Sequence, residues 1–129
     1  MRLLLDSHIF LWLVTGDERL SAASRRAVED LRNEVFFSAA SAWELSIKYR
    51  LNKLPLPLPP HEYVPAMLTR TGVDSLAVSI SHAVAVAALP DLHRDPFDRL
   101  LVAQALHENL TIVTADPLIS AYAVPCLGA

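Results

Sequence analysis

This chain of 129 residues is poor in features that several classes of protein require. Its single cysteine, Cys126, excludes an internal disulfide and a zinc site built from thiolates, and indicates reducing surroundings. Its glycines stand only at positions 16, 72 and 128, so it has no glycine-rich loop of the kind that binds nucleotide phosphates. No apolar run approaches the roughly 18 residues of a membrane span, and the start "RLLL" is too short for a secretory leader. We therefore expect a cytoplasmic protein with no membrane contact.

The chain also lacks an excess of positive charge. Its formal net charge is -3 and its isoelectric point is near 5.9, which argues against a broad basic surface that binds nucleic acid. A metal-dependent nuclease stays open, because cations held in an acidic pocket can bind phosphate. The hydrophobic content of 53% and the length suit one compact core, so we expect one domain over residues 1–129.

Short apolar runs alternate with segments of helical periodicity. Strands are predicted for "RLLLD" (2–6), "VFFS" (35–38), "LAVS" (76–79) and "LTIVTAD" (110–116), with "AYAVPCL" (121–127) as a last edge strand. Helices are predicted for 7–17, 21–33, 41–51, 61–71, 81–89 and 97–109, and a short helix begins at Pro117. This alternation predicts parallel βαβ units in an open α/β sheet that is covered on both faces.

Two local signals refine this pattern. "SAWE", from Ser41 to Glu44, matches a capping box and predicts a helix that begins there. In the helix over 21–33, Ser21 or Ser24 is the expected N-cap, and Leu31 is expected to face the core with Ala27 and Val28. "LPLPLPP" (54–60) can be neither helix nor central strand, so we interpret it as an extended connector.

Four carboxylates fall where the predicted strands end or just beyond them. Asp6 ends the first strand, Glu44 follows the second, Asp98 opens the helix after "HRDPF", and Asp116 follows the fourth strand. Ligands of open α/β sheets bind outside the carboxyl ends of the strands, so these acids are expected to meet. Clustered carboxylates repel one another unless cations neutralise them, and Mg²⁺ or Mn²⁺ prefer such oxygen ligands. The inferred chemistry is phosphodiester hydrolysis.

Each of these acids also has a structural explanation. Asp6 could cap the following helix, and Glu44 fits the capping box and an i,i+4 pair with Lys48. Asp98 could interact with a helix dipole, and Asp116 could be a turn residue before a proline. Their joint placement favours the functional interpretation.

Four stretches resemble the PIN domain, and specifically the VapC-type ribonuclease toxins of toxin–antitoxin systems. They are "LLLDSHIFLWL", "SAASAWELSIK", "HRDPFDRLLVAQA" and "LTIVTAD". The resemblance implies a three-layer αβα fold with a central, mainly parallel sheet of four to five strands, and a Mg²⁺- or Mn²⁺-dependent endoribonuclease. It implies that the catalytic and metal-binding acids are Asp6, Glu44, Asp98 and Asp116, of which Asp6 and Asp98 are direct ligands and Asp116 often acts through water.

Neighbouring residues are candidates for supporting roles. Asp95 competes with Asp98 for the third acidic role. Ser7 and Thr114 are candidates to orient carboxylates. Arg94 and Arg99 are candidates to contact RNA phosphates. The remaining residues of interest are histidines, and we expect packing or surface roles rather than metal binding for His8 and His93.

The resemblance also implies partners. Such toxins are neutralised by a small antitoxin whose C-terminal segment lies in an apolar groove near the acids, and Trp12, Trp43 and the proline-rich segment are candidates to line it. A homodimer is expected by analogy. Two other functions stay open: a catalytically silent PIN-like binding module, and a phosphatase of haloacid-dehalogenase type. The second is disfavoured because that class needs an aspartate at position 8, where this chain has His8.

Overall fold

Five parallel strands form one sheet at the centre of the protein. The computed structural model describes residues 1–128. The strands are β1 (Arg2–Leu5), β2 (Glu34–Ser38), β3 (Asp74–Leu76), β4 (Thr111–Thr114) and β5 (Cys126–Gly128). Their order across the sheet is β3-β2-β1-β4-β5, and each neighbouring pair is parallel. The expected parallel α/β sheet of four to five strands is confirmed.

Helices connect the strands and cover the sheet. They are α1 (Ser7–Thr15), α2 (Ala22–Glu29), α3 (Ala39–Arg50), α4 (Pro60–Thr71), α5 (Ile80–Ala85), α6 (Pro96–Glu108) and α7 (Pro117–Ser120), and a 3₁₀ turn (Val86–Ala88) follows α5. Among residues 1–128, no helix has the length and apolar character needed to cross a bilayer.

The core has two halves, one on each face of the sheet. Alternate side chains of a strand point to opposite faces, so Leu3 and Leu5 join one half and Leu4 the other. In the first half Phe10 of α1 stacks on Phe37 of β2 with ring centroids 4.2 Å apart, and α3 and α4 pack nearby. The second half is built mainly from α6, β4 and α7. This arrangement is the expected three-layer αβα sandwich.

The order of the strands fixes where a site can form. From β1 the chain moves outward to β2 and β3, and β4 then lies on the opposite side of β1. The connections therefore diverge between β1 and β4, which leaves a crevice beyond the carboxyl ends of these two strands. Asp6 follows β1 directly, and Asp116 lies two residues after β4.

The predicted capping box at the start of α3 is wrong. The helix begins at Ala39, and its N-cap is Ser38, whose hydroxyl accepts from the backbone N–H of Ala40 at 3.0 Å. Ser38 is also the last residue of β2, so the chain turns from strand to helix with no intervening loop. Ser41 and Glu44 consequently lie inside the helix. The carboxylate of Glu44 is thus available for contacts outside α3.

Other boundaries differ for local reasons. The N-cap of α2 is Ser21, but the helix ends at Glu29 because Asp30 turns back to accept from the backbone N–H of Arg32 at 2.9 Å. Leu31 is consequently fully exposed, not directed to the core as expected. Strand β3 lies earlier than 76–79, because Ser79 instead forms a capping box at the start of α5.

Candidate active site

The four predicted acids lie at the carboxyl edge of the sheet or in the helices that begin there. Asp6 and Glu44 are almost completely buried, with exposures of 5% and 4%. Asp98 lies in the first turn of α6, and Asp116 is the N-cap of α7. Four separate segments of the chain therefore contribute one carboxylate each.

Two hydroxyl groups connect three of these acids. The Ser7 hydroxyl donates to Glu44 Oε1 at 2.9 Å and lies 3.3 Å from Asp6 Oδ1. The Thr114 hydroxyl donates to Asp6 Oδ2 at 2.8 Å and accepts from the backbone N–H of Asp116 at 3.0 Å. Ser7 and Thr114 thus both contact carboxylates of the predicted acids.

His93 connects the remaining acid to the others. Its Nε2 donates to Asp116 Oδ2 at 3.0 Å and lies 2.9 Å from Asp98 Oδ2. The ring is largely buried, with 11% of the side chain exposed. His93 thus contacts two of the predicted acids, a role that the sequence did not indicate, whereas His8 is exposed as expected.

Asp95 and Asp98 have different surroundings. Asp95 is the N-cap of α6, and its Oδ1 accepts from the backbone N–H groups of Phe97 and Asp98 at 2.8 and 3.2 Å. Asp98 lies one turn later, and 13% of its side chain is exposed. The fold therefore directs Asp95 to the backbone of its own helix and Asp98 toward the other acids.

The cluster has an excess of negative charge. Burial, followed by the nearby carboxylates of Asp6, Asp95 and Glu44, raises the pKa of Asp98 to about 7. Burial alone would lower the pKa of His93, but its hydrogen bond to Asp116 and the charge of Asp98 raise that pKa on balance. A further positive charge comes from Lys48, whose Nζ lies 2.9 Å from Glu44 Oε2.

Comparison with known proteins identifies the family of this chain. The family model of the PIN domain matches residues 3–125. This chain is a PIN domain. Ribonuclease VapC22 of Mycobacterium tuberculosis is 30% identical over 113 residues, which cover 88% of this chain and 85% of that protein. Ribonuclease VapC16 of the same organism is 49% identical over 59 residues, which cover 46% of this chain and only 42% of that protein.

Solved structures share the fold of this PIN domain. VapBC2 from Rickettsia felis, solved with a DNA fragment from its promoter, has a TM-score of 0.74 at 16% identity and covers 99% of this chain and 98% of its own. VapBC-1 from nontypeable Haemophilus influenzae has a TM-score of 0.65, also at 16% identity, with the same coverage. At such low identity these likenesses establish the fold alone.

The donor atoms of this PIN domain fit a hard divalent cation. Carboxylate oxygens are the ligands that such ions prefer. The pKa of Asp98 is raised first by burial and then by the neighbouring carboxylates, whose negative charge a cation would offset. One ligand atom from each of His93, Asp98 and Asp116 lies within 4.8 Å of the other two. Asp6 and Glu44 contribute to the field at Asp98, so all four acids can act on one ionic site.

The two arginines near the acids are not equivalent. Arg99 donates to the backbone carbonyls of Pro90 and Val86 at 2.9 and 3.2 Å and to Tyr122 Oη at 3.0 Å. Its guanidinium therefore holds the loop before α6 in place. Arg94, in contrast, is exposed to solvent.

His93 is the site residue that sequence reasoning missed. One signal was available, because His93 lies in the "HRDPFD" block together with Asp95 and Asp98. Its contact with Asp116 depends on the path of the loop before α6. The sequence pattern alone did not predict that path.

Proposed function

We propose that this PIN domain, a single domain over the whole chain, is a metal-dependent endoribonuclease and the toxin of a toxin–antitoxin pair. The convergence of four carboxylates from separate segments on one buried edge is the observation that carries this proposal. The similarity to two proteins named ribonucleases supports RNA as the substrate. We propose that the reaction takes place in the cytoplasm, where such a substrate is abundant.

The acids divide into two roles in this proposal. Asp6 and Asp98 are the direct ligands of Mg²⁺ or Mn²⁺, while Glu44 and Asp116 complete the negative site, Asp116 through water. A divalent ion held by these acids would supply Lewis acidity at the phosphate and would lower the pKa of an attacking water. Ser7 and Thr114 fix the carboxylates in the orientation that the ion needs.

The proposed contact with RNA phosphate is assigned to Arg94. Arg94 is exposed in the loop that leads into α6. It lies one residue before Asp95 and three residues before Phe97. Three of the five N–H donors of Arg99 are used in contacts within the protein, so we assign it a structural role. Phosphate contacts of this kind position an RNA without reading its sequence.

We propose that an antitoxin segment docks beside the acids. A depression of about 210 Å³ lies between α1, α3 and the start of the proline-rich connector, and it includes Ser7. Its walls combine apolar side chains with lysines, namely Leu11, Leu45, Leu54, Lys48 and Lys53. Solved relatives named VapBC support a protein partner. Trp43, 62% exposed beside Glu44, is a further candidate contact, while Trp12 is half-buried under Arg19.

We also propose a homodimer. Ile80 and Val84 are 81% and 66% exposed and lie four residues apart on α5, which places them on one face of that helix. Light scattering of the purified chain tests this proposal, and a monomer mass at high concentration would contradict it.

The experiment that tests the nuclease uses the purified chain and labelled structured RNA with Mg²⁺ or Mn²⁺. Cleavage should require the metal, stop with EDTA and be lost in Asp98→Asn. Asp95→Asn is the matched control, because it removes one charge from the same helix turn and asparagine is an equally good N-cap. This variant should keep most of the cleavage.

Other outcomes have distinct meanings. Equal cleavage of single-stranded DNA of the same sequence would show a nuclease without preference for RNA. Loss of cleavage in Asp95→Asn but not in Asp98→Asn would assign the third acidic role to Asp95. A folded chain that binds no Mn²⁺ and cuts no RNA would instead support a catalytically silent binding module.

A further inference from the structure

His93 joins two loops that each bring an acid to the site. It lies in the loop before α6, which carries Asp98, and it donates to Asp116, which follows β4. Its backbone N–H donates to Tyr122 Oη at 2.9 Å, so the residue is held at its backbone as well as at its ring. The ring is therefore held in a defined position within the site.

The environment of the ring decides which nitrogen carries a proton. His93 Nδ1 accepts from the backbone N–H of Asp95 at 3.2 Å, so in the neutral ring the proton lies on Nε2. In the protonated ring Nε2 also carries a proton. Nε2 is therefore a donor in either state, and it has no lone pair to offer to a metal ion.

We propose that His93 is a positioning residue of the metal site, which fixes the carboxylate of Asp116 opposite Asp98 and does not itself ligate the ion. This inference rests on the proposed metal-dependent function. In other proteins, side chains that donate hydrogen bonds to metal-binding carboxylates orient those carboxylates without binding the metal themselves. We assign this role to the His93 ring.

The carboxylate of Asp116 is fixed at both oxygens. Its Oδ1 accepts from the backbone N–H of Leu118 at 2.8 Å, and its Oδ2 accepts from His93. Without the histidine donor, Oδ2 loses its contact with the loop before α6. The carboxylate can then rotate about its remaining bond, and the spacing between Asp116 and Asp98 is no longer defined.

Three substitutions separate a donor from a ligand and from simple packing. Glutamine at position 93 brings an N–H donor to the place of Nε2, asparagine has the same donor but does not reach it, and leucine has no donor. Calorimetric titration with Mn²⁺ at constant pH should show affinity about 10- to 100-fold weaker for His93→Leu and His93→Asn. The affinity of His93→Gln for Mn²⁺ should fall by less than about tenfold. Thermal unfolding checks each fold, and if the leucine variant does not fold, the asparagine and glutamine variants decide.

Pulsed electron paramagnetic resonance of bound Mn²⁺ gives a second measurement. We expect no strong ¹⁴N coupling of the kind that a directly bound imidazole produces. His107→Gln is the control for a second cluster, formed by His82, His107 and Glu108, that could also hold an ion.

The outcomes separate this inference from the proposed function. A wild-type chain that binds no Mn²⁺ would overturn both. Wild-type binding that persists unchanged in His93→Leu and His93→Asn, or an equal loss in His93→Gln, would overturn the positioning role alone. A directly coordinated ¹⁴N signal that disappears in His93→Gln would show instead that His93 is a ligand.

Discussion

Replacing Asp98 with asparagine should stabilise the metal-free protein at alkaline pH. The environment raises the pKa of Asp98 from 3.8 to about 7, so the folded protein keeps a proton that the unfolded chain has released. Stability is therefore lost as the pH rises from about 4 to about 7. Each pKa unit corresponds to about 1.36 kcal/mol, so the loss in the free energy of unfolding is at most about 4 kcal/mol. Solvent screening reduces this loss to roughly 2 kcal/mol. The Asp98→Asn variant does not titrate and escapes this loss.

Thermal unfolding in EDTA at pH 5 and pH 8 measures the effect. The Tm of Asp98→Asn should exceed that of the wild type by about 5 to 10 °C at pH 8 and by less than half as much at pH 5. Excess Mn²⁺ should reverse the order, because binding at 100 times Kd stabilises the wild type by about 2.7 kcal/mol. Asp74→Asn, at an exposed position on β3, controls for the loss of one charge. An equal Tm difference at both pH values would show instead that the titration of Asp98 is not its cause.

Three further predictions concern single contacts around the site. Thr114→Val should lower the free energy of unfolding by about 1 to 3 kcal/mol in urea, because a buried carboxylate loses its donor, and unchanged stability would contradict this. Ser38→Ala removes the N-cap of α3 and a 2.6 Å bond to Gln104, so the free energy of unfolding should fall by about 1 to 2 kcal/mol. Arg94→Ala should weaken binding of RNA to the Mg²⁺-free protein without changing Tm, whereas Arg99→Ala should lower Tm. A lower Tm in Arg94→Ala together with weaker RNA binding in Arg99→Ala would exchange their roles.

The placement of the acids was predictable because it follows from chain order and parallel topology. Once "RLLLD" and "LTIVTAD" are strands of one parallel sheet, Asp6 and Asp116 must reach the same edge. The order in which the strands pair completes the crevice, and local sequence does not encode that order. The pairing of β1 with both β2 and β4 is a property of the whole fold.

The predictions from the sequence that differ from the structure concern places where several residues can take the same local role. Ser38 and Ser41 can both cap α3, and the junction of β2 with the helix selects Ser38. The turn formed by Asp30 ends α2 before Leu31, although the apolar periodicity continues. The contact of His93 with Asp116 was missed because it depends on the path of the loop before α6, which contacts Tyr122.

Anomalous X-ray scattering from crystals soaked with Mn²⁺ tests most directly whether the four carboxylates form one metal site. If they do, an anomalous peak should lie about 2 Å from carboxylate oxygens of Asp6 and Asp98, within reach of Glu44 and Asp116 through at most one water. A peak only at the cluster of His82, His107 and Glu108, or no peak in a crystal that diffracts well, would contradict this prediction.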